Sequence, residues 1–486
     1  IMRKILILII ISLFISCQTI ENKNENPNIV LIVADDLGWT DVSYMGSKYY
    51  ETPNIDKLSR SGMTFYNGYA SAANCAPSRA TMLSGRYNTH HGIYTVGASE
   101  RGSEKTRKII PIRNETILDL RYFLIPEMLK NEGYVTGHFG KWHLGSQGFF
   151  PEQSGFDINI GGNDSGGPGG YFSPYINPNL EDGPIGEYLT DRIGNEVVSF
   201  INYNQNETFF AYVPFYSVHS PIQSKKEYQE KYSNKDGDNN HNRPDYAGMI
   251  KSLDENIGKI LNTIEELNLS EKTLIIFTSD NGGIRAISNQ FPLKAGKGSY
   301  YEGGIKVPLI FSWKGKIKEE SESYERVSNI DFFPTIKKII GHENKNLHLD
   351  GLDLNPIFKG KTFKNRTLFY HFPIYLQAYN VHLDNGTDPL FRTRPGSVII
   401  KDNWKLHHYF EDGKIELYNI EEDISESTDL SKTNLEKTKE LYHDLNKWRE
   451  ANNAPIPSEK NSKYDQKFVD SLNFLIINKN ITRRVN

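Results

Sequence analysis

Four stretches of this chain are largely apolar and β-branched, and each ends abruptly in charged, amide or glycine-rich residues: 28–36 (NIVLIVADD), 134–138 (YVTGH), 209–219 (FFAYVPFYSVH) and 273–281 (TLIIFTSDN). Runs of this kind predict strands buried on both faces, as parallel sheets require. Between them the spacing changes to that of helices. Met249, Leu253, Ile257, Ile260, Leu261 and Ile264 recur every three or four positions and predict a helix over about 246–268. Strands alternating with helices predict a doubly wound α/β sheet.

Around residue 340 the pattern shifts. Residues 346–354 read as a crossing loop, and Val398–Ile400, Trp404–Phe410 and Lys414–Tyr418 as short strands. The last two are joined across Glu411-Asp412-Gly413, a hairpin signal. Leu441, Leu445 and Trp448 then share one face of a helix over about 434–451. The expected fold is α/β: a large mixed, mostly parallel sheet sandwiched by helices over 28–345, then a small antiparallel-sheet subdomain with a covering helix over 346–455. The polar tail, 456–486, is expected to wrap the surface, and 233–245 (SNKDGDNNHNRPD) to be a solvated loop.

The N-terminus reads as an address. Arg3 and Lys4 precede an apolar run, Ile5 to Ile15, broken only by Ser12 and too short for a membrane span of roughly 20 residues. It closes in Phe14-Ile15-Ser16-Cys17, which resembles a bacterial lipobox with Phe in place of the commoner Leu. That resemblance implies a signal peptide over 1–16, acylation of Cys17, a tether over 17–27, and export to the cell envelope with membrane contact through the lipid anchor only. The alternative is an ordinary signal peptide with Cys17 as a bystander.

Composition narrows the function. With 37% hydrophobic and 12% aromatic residues the chain can fill a sizeable core. Lys+Arg 56 against Asp+Glu 60, a net charge of −4, argues against a nucleic-acid partner, so any anion must be met by a few placed cations. Cys75 is the one cysteine besides Cys17, so the folded body has no disulfide staple.

In open α/β sheets the carboxyl ends of the strands form the ligand crevice. Asp35-Asp36 and Asp280-Asn281 each end a buried run. Either pair alone would pass for a helix cap. Two pairs at equivalent strand ends point to a metal, with hard oxygen donors that suit calcium better than magnesium. In the GKWHLG segment Lys141 and His143 share one face of an extended chain. His219 heads His219-Ser220-Pro221, and Lys297 lies between glycines where an anion can approach, with Glu302 placed to orient it. Taken singly, each of these histidines would be read as structural and Lys297 as a solvated loop cation.

Cys75-Ala76-Pro77-Ser78-Arg79, continuing ATMLSGR to Arg86, matches the Cys-x-Pro-x-Arg signature of type I sulfatases. Asp35-Asp36, GKWHLG, His219-x-Pro221, SLDENIG (252–258), SDNGG (279–283), GKG with EGGIKVP (302–308) and DFFPT (331–335) also resemble that family, in order, over roughly residues 28–425. One departure is Lys306, where arginine is common. The resemblance implies an alkaline-phosphatase-like fold and oxidation of Cys75 to formylglycine by a separate generating enzyme. It further implies calcium held by Asp35, Asp36, residue 75, Asp280 and Asn281. By the same resemblance Arg79 fixes the nucleophile, Lys141 and Lys297 clamp the sulfate, His219 protonates the leaving oxygen and His143 accepts a proton afterwards. Pro77 suits the first turn of a helix whose N-terminus favours negative charge at residue 75.

The expected substrate is a sulfated polysaccharide or oligosaccharide. Gln223, the loop 161–170 (GGNDSGGPGG), His371, Arg392 and Arg394 are candidate pocket residues, the last two for a carboxylate or second sulfate; surface structure is the competing reading. His90 and His91 read as packing behind the nucleophile helix. The rival functions are a phosphonate or phosphodiester hydrolase of the same superfamily and a non-catalytic glycan-binding lipoprotein.

Overall fold

The computed structural model describes residues 26–363, 366–379 and 381–479; the expected signal peptide and Cys17 lie outside the described residues. The main sheet has eight strands. In chain order they are β1 (Asn28–Ala34), β2 (Met63–Phe65), β3 (Val135–Phe139), β4 (Ile158–Ile160), β5 (Phe209–Pro214), β6 (Thr273–Ser279), β7 (Leu309–Ser312) and β8 (Ser321–Ser323). Across the sheet the order is β4-β3-β5-β1-β6-β7-β2-β8. The four strands expected from the apolar runs are thus consecutive, β3-β5-β1-β6, and pair in parallel. Strand β7 runs antiparallel to its neighbours and makes the sheet mixed.

The alternation of side chains along β1 shows why these runs are apolar throughout. Val30, Ile32 and Ala34 enter one core, while Ile29, Leu31 and Val33 enter the other. The first core is closed by α1 (Pro53–Arg60), α3 (Leu189–Tyr203) and α4 (Pro244–Glu266); the second by α2 (Cys75–Ser84) and α5 (Phe332–Ile339). All ten residues of α2 are buried.

A second, antiparallel sheet follows: β9 (Thr367–Phe372), β10 (Gly396–Lys401), β11 (Trp404–Tyr409) and β12 (Ile415–Asn419), in the order β9-β10-β11-β12. Helix α6 (Leu435–Ala451) covers one face through Leu441, Leu445 and Trp448, against Ile399, Leu406 and Leu417. The other face, with Leu368, Tyr370 and Val398, packs on Tyr69, Tyr300, Tyr301 and Ile305 of the first unit. The tail contains more order than its polar composition suggested. Helix α7 (Gln466–Lys479) seats Val469, Leu472 and Ile476 against Ile109, Tyr375 and Phe391.

Leu445 is fully buried between helix and sheet. Leu445→Ala is expected to cost about 3 kcal/mol, read as a lower denaturant midpoint; an unchanged midpoint would contradict this packing.

Candidate functional site

Because β3, β5, β1 and β6 are parallel neighbours, their carboxyl ends open onto one edge, where the chemistry-bearing residues converge. Asp35 and Asp36 follow β1, and Asp280 and Asn281 follow β6. Lys141 and His143 follow β3, and His219 ends the turn after β5. Cys75 stands at the first position of α2, its Sγ 3.6 Å from Asp35 Oδ1 and 4.0 Å from Asp36 Oδ1. The crevice is built with unusual backbone: Asp36 and His143 have φ of 63° and 61°, a region non-glycine residues rarely enter and one that concentrates at functional sites.

Three carboxylates meet three cations here, all buried. Lys141 Nζ lies 2.6 Å from Asp35 Oδ2 and Lys297 Nζ 2.7 Å from Asp36. Arg79 spans 2.8 Å from its terminal nitrogen to Asp280 Oδ2 and donates to the Lys141 carbonyl at 3.0 Å. Burial drives the Asp35 carboxyl up to about 7; Lys141 opposes the shift, and Asp280 and Asp36 add to it. Burial acts the same way on Asp36, but Lys297, with His219 and Lys141, outweighs it and holds that carboxyl below the usual range. Burial pushes the Cys75 thiol up to about 12 despite Lys141 and Lys297, so an unmodified thiol would be un-ionised and a poor nucleophile.

The two histidines differ in setting. His219 Nδ1 lies 2.7 Å from the Ser220 carbonyl, which leaves Nε2 toward the carboxylates, 3.7 Å from Asp36 Oδ2. Burial and then Lys297 lower its pKa to about 3, against the pull of Asp36. His143 is lowered well below its ordinary value by burial, then by Lys141. The loop 161–170 covers both rings: a Cβ at Gly166 would stand 2.8 Å from the His143 ring, and one at Gly167 3.2 Å from His219 Nδ1. Beside His143 opens a cleft of about 290 Å³ lined by Ala76, Thr95, Gly97, Ile117 and Asp164 among others.

One polar atom tests whether the site fits a cation. Asn281 Oδ1 is buried without a hydrogen-bond partner, while its Nδ2 donates to Asp36 Oδ1. Ligating atoms of Asp35, Asp36, Cys75 and Asp280 all lie within 4.8 Å of one another. An orphaned amide oxygen among three carboxylates is an all-oxygen protein set, which suits a hard divalent ion.

Several expected residues stand elsewhere. His371 is 1% exposed within β9, with Nδ1 2.8 Å from Ser397 Oγ and Nε2 3.0 Å from the Pro455 carbonyl; both nitrogens are engaged, so it packs rather than reads substrate. Arg394 is neutralised by Asp388, Glu411 and Asp412. Gln223 accepts from Tyr171 N and anchors the end of the glycine loop. Glu302 does not orient Lys297: it pairs with Lys405 at 2.9 Å and accepts from Tyr69. His91 packs behind α2 against Thr81, as read from sequence, whereas His90 faces Asp350. Arg392 does border the site, donating to the Lys297 carbonyl at 2.9 Å. Arg101 and Tyr379, close to Arg392, were not legible because neither lies in a motif.

Comparison with known proteins gives a consistent picture. A family model described as Sulfatase matches residues 27–342, and one described as N-sulphoglucosamine sulphohydrolase, C-terminal, matches 296–454. A sulfatase of Formosa agariphila is 34% identical, over 92% of this chain and 93% of its own. An N-acetylgalactosamine-6-sulfatase of Canis lupus familiaris is 32% identical, over 76% of this chain and 74% of its own. The crystal structure of Ps i-CgsB in complex with k-i-k-neocarrahexaose matches at a TM-score of 0.75 and 31% identity, over 93% of this chain and 97% of that one.

Asp280→Ala removes a carboxylate from the oxygen set and strands Arg79. Affinity for a divalent cation, read by calorimetry with calcium as the probe, is expected to fall about 10–100-fold; unaltered affinity would remove Asp280 from the cation site.

Proposed function

The chain belongs to the sulfatase family, and from that premise we propose that it hydrolyses sulfate monoesters on carbohydrates, using an oxygen nucleophile made from Cys75 and a bound calcium ion. It is a sulfuric ester hydrolase. The observation that carries the reading is the meeting of residue 75, three carboxylates and three cations at one buried set of strand ends. The carbohydrate part is supported by relatives named for N-acetylgalactosamine-6-sulfate hydrolysis and by the oligosaccharide complex of Ps i-CgsB.

Charge explains why such a centre suits a sulfate ester. The three carboxylates and three cations cancel, so a divalent ion leaves two positive charges that an anionic sulfuryl group and an ionising nucleophile can neutralise. Calcium would be held by Asp35, Asp36, Asp280 and Asn281, and when bound it lowers the pKa of a nearby hydroxyl and polarises a sulfate oxygen. Oxidised to formylglycine and hydrated, residue 75 supplies the attacking oxygen; a thiol at this position has no comparable reactivity.

The remaining work falls to the side chains around it. Arg79, fixed by Asp280 and the Lys141 carbonyl, holds the nucleophile at the mouth of α2, whose N-terminus favours developing negative charge. Lys141 and Lys297, both near enough to act on the charge of residue 75, clamp the sulfate oxygens. Attack on sulfur breaks the bond to the sugar oxygen, and His219 Nε2 is the group placed to protonate that oxygen; its imidazole is neutral in the empty site and takes up the proton it delivers from solvent as the bound anion offsets Lys297. His143 accepts the proton of the second hydroxyl of hydrated residue 75; the bond from its carbon to the sulfated oxygen then breaks, inorganic sulfate leaves and the aldehyde is restored. The glycine loop 161–170 packs closely on both imidazoles. Export and lipid attachment at Cys17 complete the reading and would place the enzyme at the cell envelope, where extracellular glycans are met.

Mass analysis of the peptide containing residue 75 from active enzyme is expected to show the aldehyde in place of the thiol. Cys75→Ser and Lys297→Ala should each reduce kcat for an aryl sulfate by about 100-fold or more with an intact circular dichroism spectrum. Dominant turnover of aryl phosphonates or phosphodiesters over sulfates would favour the rival hydrolase instead.

A further inference from the structure

Beside the sulfate clamp two guanidinium groups lack a counter-ion. Arg392 donates from Nε to the Gln377 carbonyl and from one terminal nitrogen to the Lys297 carbonyl, both at 2.9 Å, and lies 3.4 Å above the ring of Tyr379. A guanidinium has five N–H groups, so three remain unassigned. Arg101 donates to the Val96 carbonyl and folds against Gly97, a residue of the cleft beside His143. Among the described residues neither arginine has a carboxylate partner. The segments of the two arginines pack together, since a Cβ at Gly102 would stand 3.3 Å from the Phe391 ring, and burial, joined by the positive charge of Arg392, lowers the Arg101 pKa. Two half-buried cations that repel each other are costly to hold together unless an anion joins them.

Arg394, two residues on, shows the contrast: Asp388, Glu411 and Asp412 surround it and meet its charge. Arg392 is also mechanically joined to the clamp. Gly298, at φ 85°, has no side chain, and a Cβ there would fall 2.8 Å from the Arg392 terminal nitrogen. The glycine after Lys297 is therefore what lets Arg392 reach the Lys297 carbonyl.

Resting on the sulfatase reading, we propose that Arg101 and Arg392 form a second oxyanion subsite, one that binds a further sulfate or carboxylate on the sugar next to the ester being cleaved. The substrate is then a polyanionic oligosaccharide, and the subsite acts on selection rather than on the chemical step. Guanidinium planes suit this because sulfate and carboxylate both accept paired N–H donors.

The test is calorimetric titration of the Cys75→Ser protein, whose turnover is expected to be about 100-fold or more slower and is checked by sulfate release during the titration, with three oligosaccharides of equal length: one sulfate only, two sulfates, and one sulfate plus a uronate. The doubly charged ligands are expected to bind about tenfold or more tightly than the singly charged one, and the Arg101→Ala change should abolish that ratio, with Arg101→Lys restoring part of it. The advantage should shrink as salt is raised from low to high ionic strength. A preference for only one of the two doubly charged ligands would identify the anion read. Equal affinity for all three, or a ratio untouched by Arg101→Ala, overturns the proposal. Because the readout is binding, failure of the hydrolase reading appears separately, as absence of sulfate release by the unsubstituted enzyme.

Discussion

Everything in this molecule turns on holding six opposite charges in a place from which water is excluded. Each ion buried without a partner costs several kcal/mol, about what a whole domain has in net stability. Asp35, Asp36 and Asp280 therefore cannot be separated from Lys141, Lys297 and Arg79. The fold meets the demand by division of labour. Parallel strands deliver the carboxylates with the precision of a hydrogen-bonded ladder, while Arg79 comes from a helix and Lys297 from a glycine-flanked loop. Local balance in the ground state becomes positive excess once a divalent ion enters, and that excess is what a transferring sulfuryl group needs.

The second sheet is part of this foundation. Lys405 of β11 lies fully buried between Glu302 and Glu426, 2.9 Å from each, and Glu426 also accepts from the Glu302 backbone. The turn 302–305 so fixed passes its backbone against the loop carrying Lys297: Gly303 N donates to the Lys294 carbonyl, and Gly282 N to the Gly304 carbonyl. Side chains at Gly303 or Gly304 would collide with the backbone of Ala295 or Ser299. The metal limb and the sulfate limb are thus spaced by glycine-thin packing that the C-terminal sheet holds in place.

Sequence reasoning recovered what is periodic or contiguous. The four buried runs proved adjacent and parallel, the helix around Leu253 spans Pro244–Glu266, and the hairpin at Gly413 joins β11 to β12. The residues singled out at strand ends do meet, because parallel neighbours must present their ends together. What failed was pairing at long range. His371 follows an apolar strand and looked poised at the crevice, yet Pro455 and Ser397 absorb it. Arg394 looked like a reader of anions until three carboxylates gathered around it. Glu302 is five residues from Lys297 but pairs with Lys405, a hundred positions away. The tail helix escaped notice because the residues that dock it, Val469, Leu472 and Ile476, lie within a tail whose polar composition dominated the reading. Arg101 belongs to no motif, and its isolation from acidic groups is visible only in three dimensions.

Helix α2 has one further implication. Cys75 is 1% exposed, and every residue from Cys75 to Ser84 is sealed inside the protein. Another protein cannot seize a pentapeptide in that position. An enzyme that oxidised the thiol would therefore have to meet it on a chain still open. Folding would then close a door behind the completed nucleophile, and the pace at which the chain collapses would set what fraction of molecules becomes active.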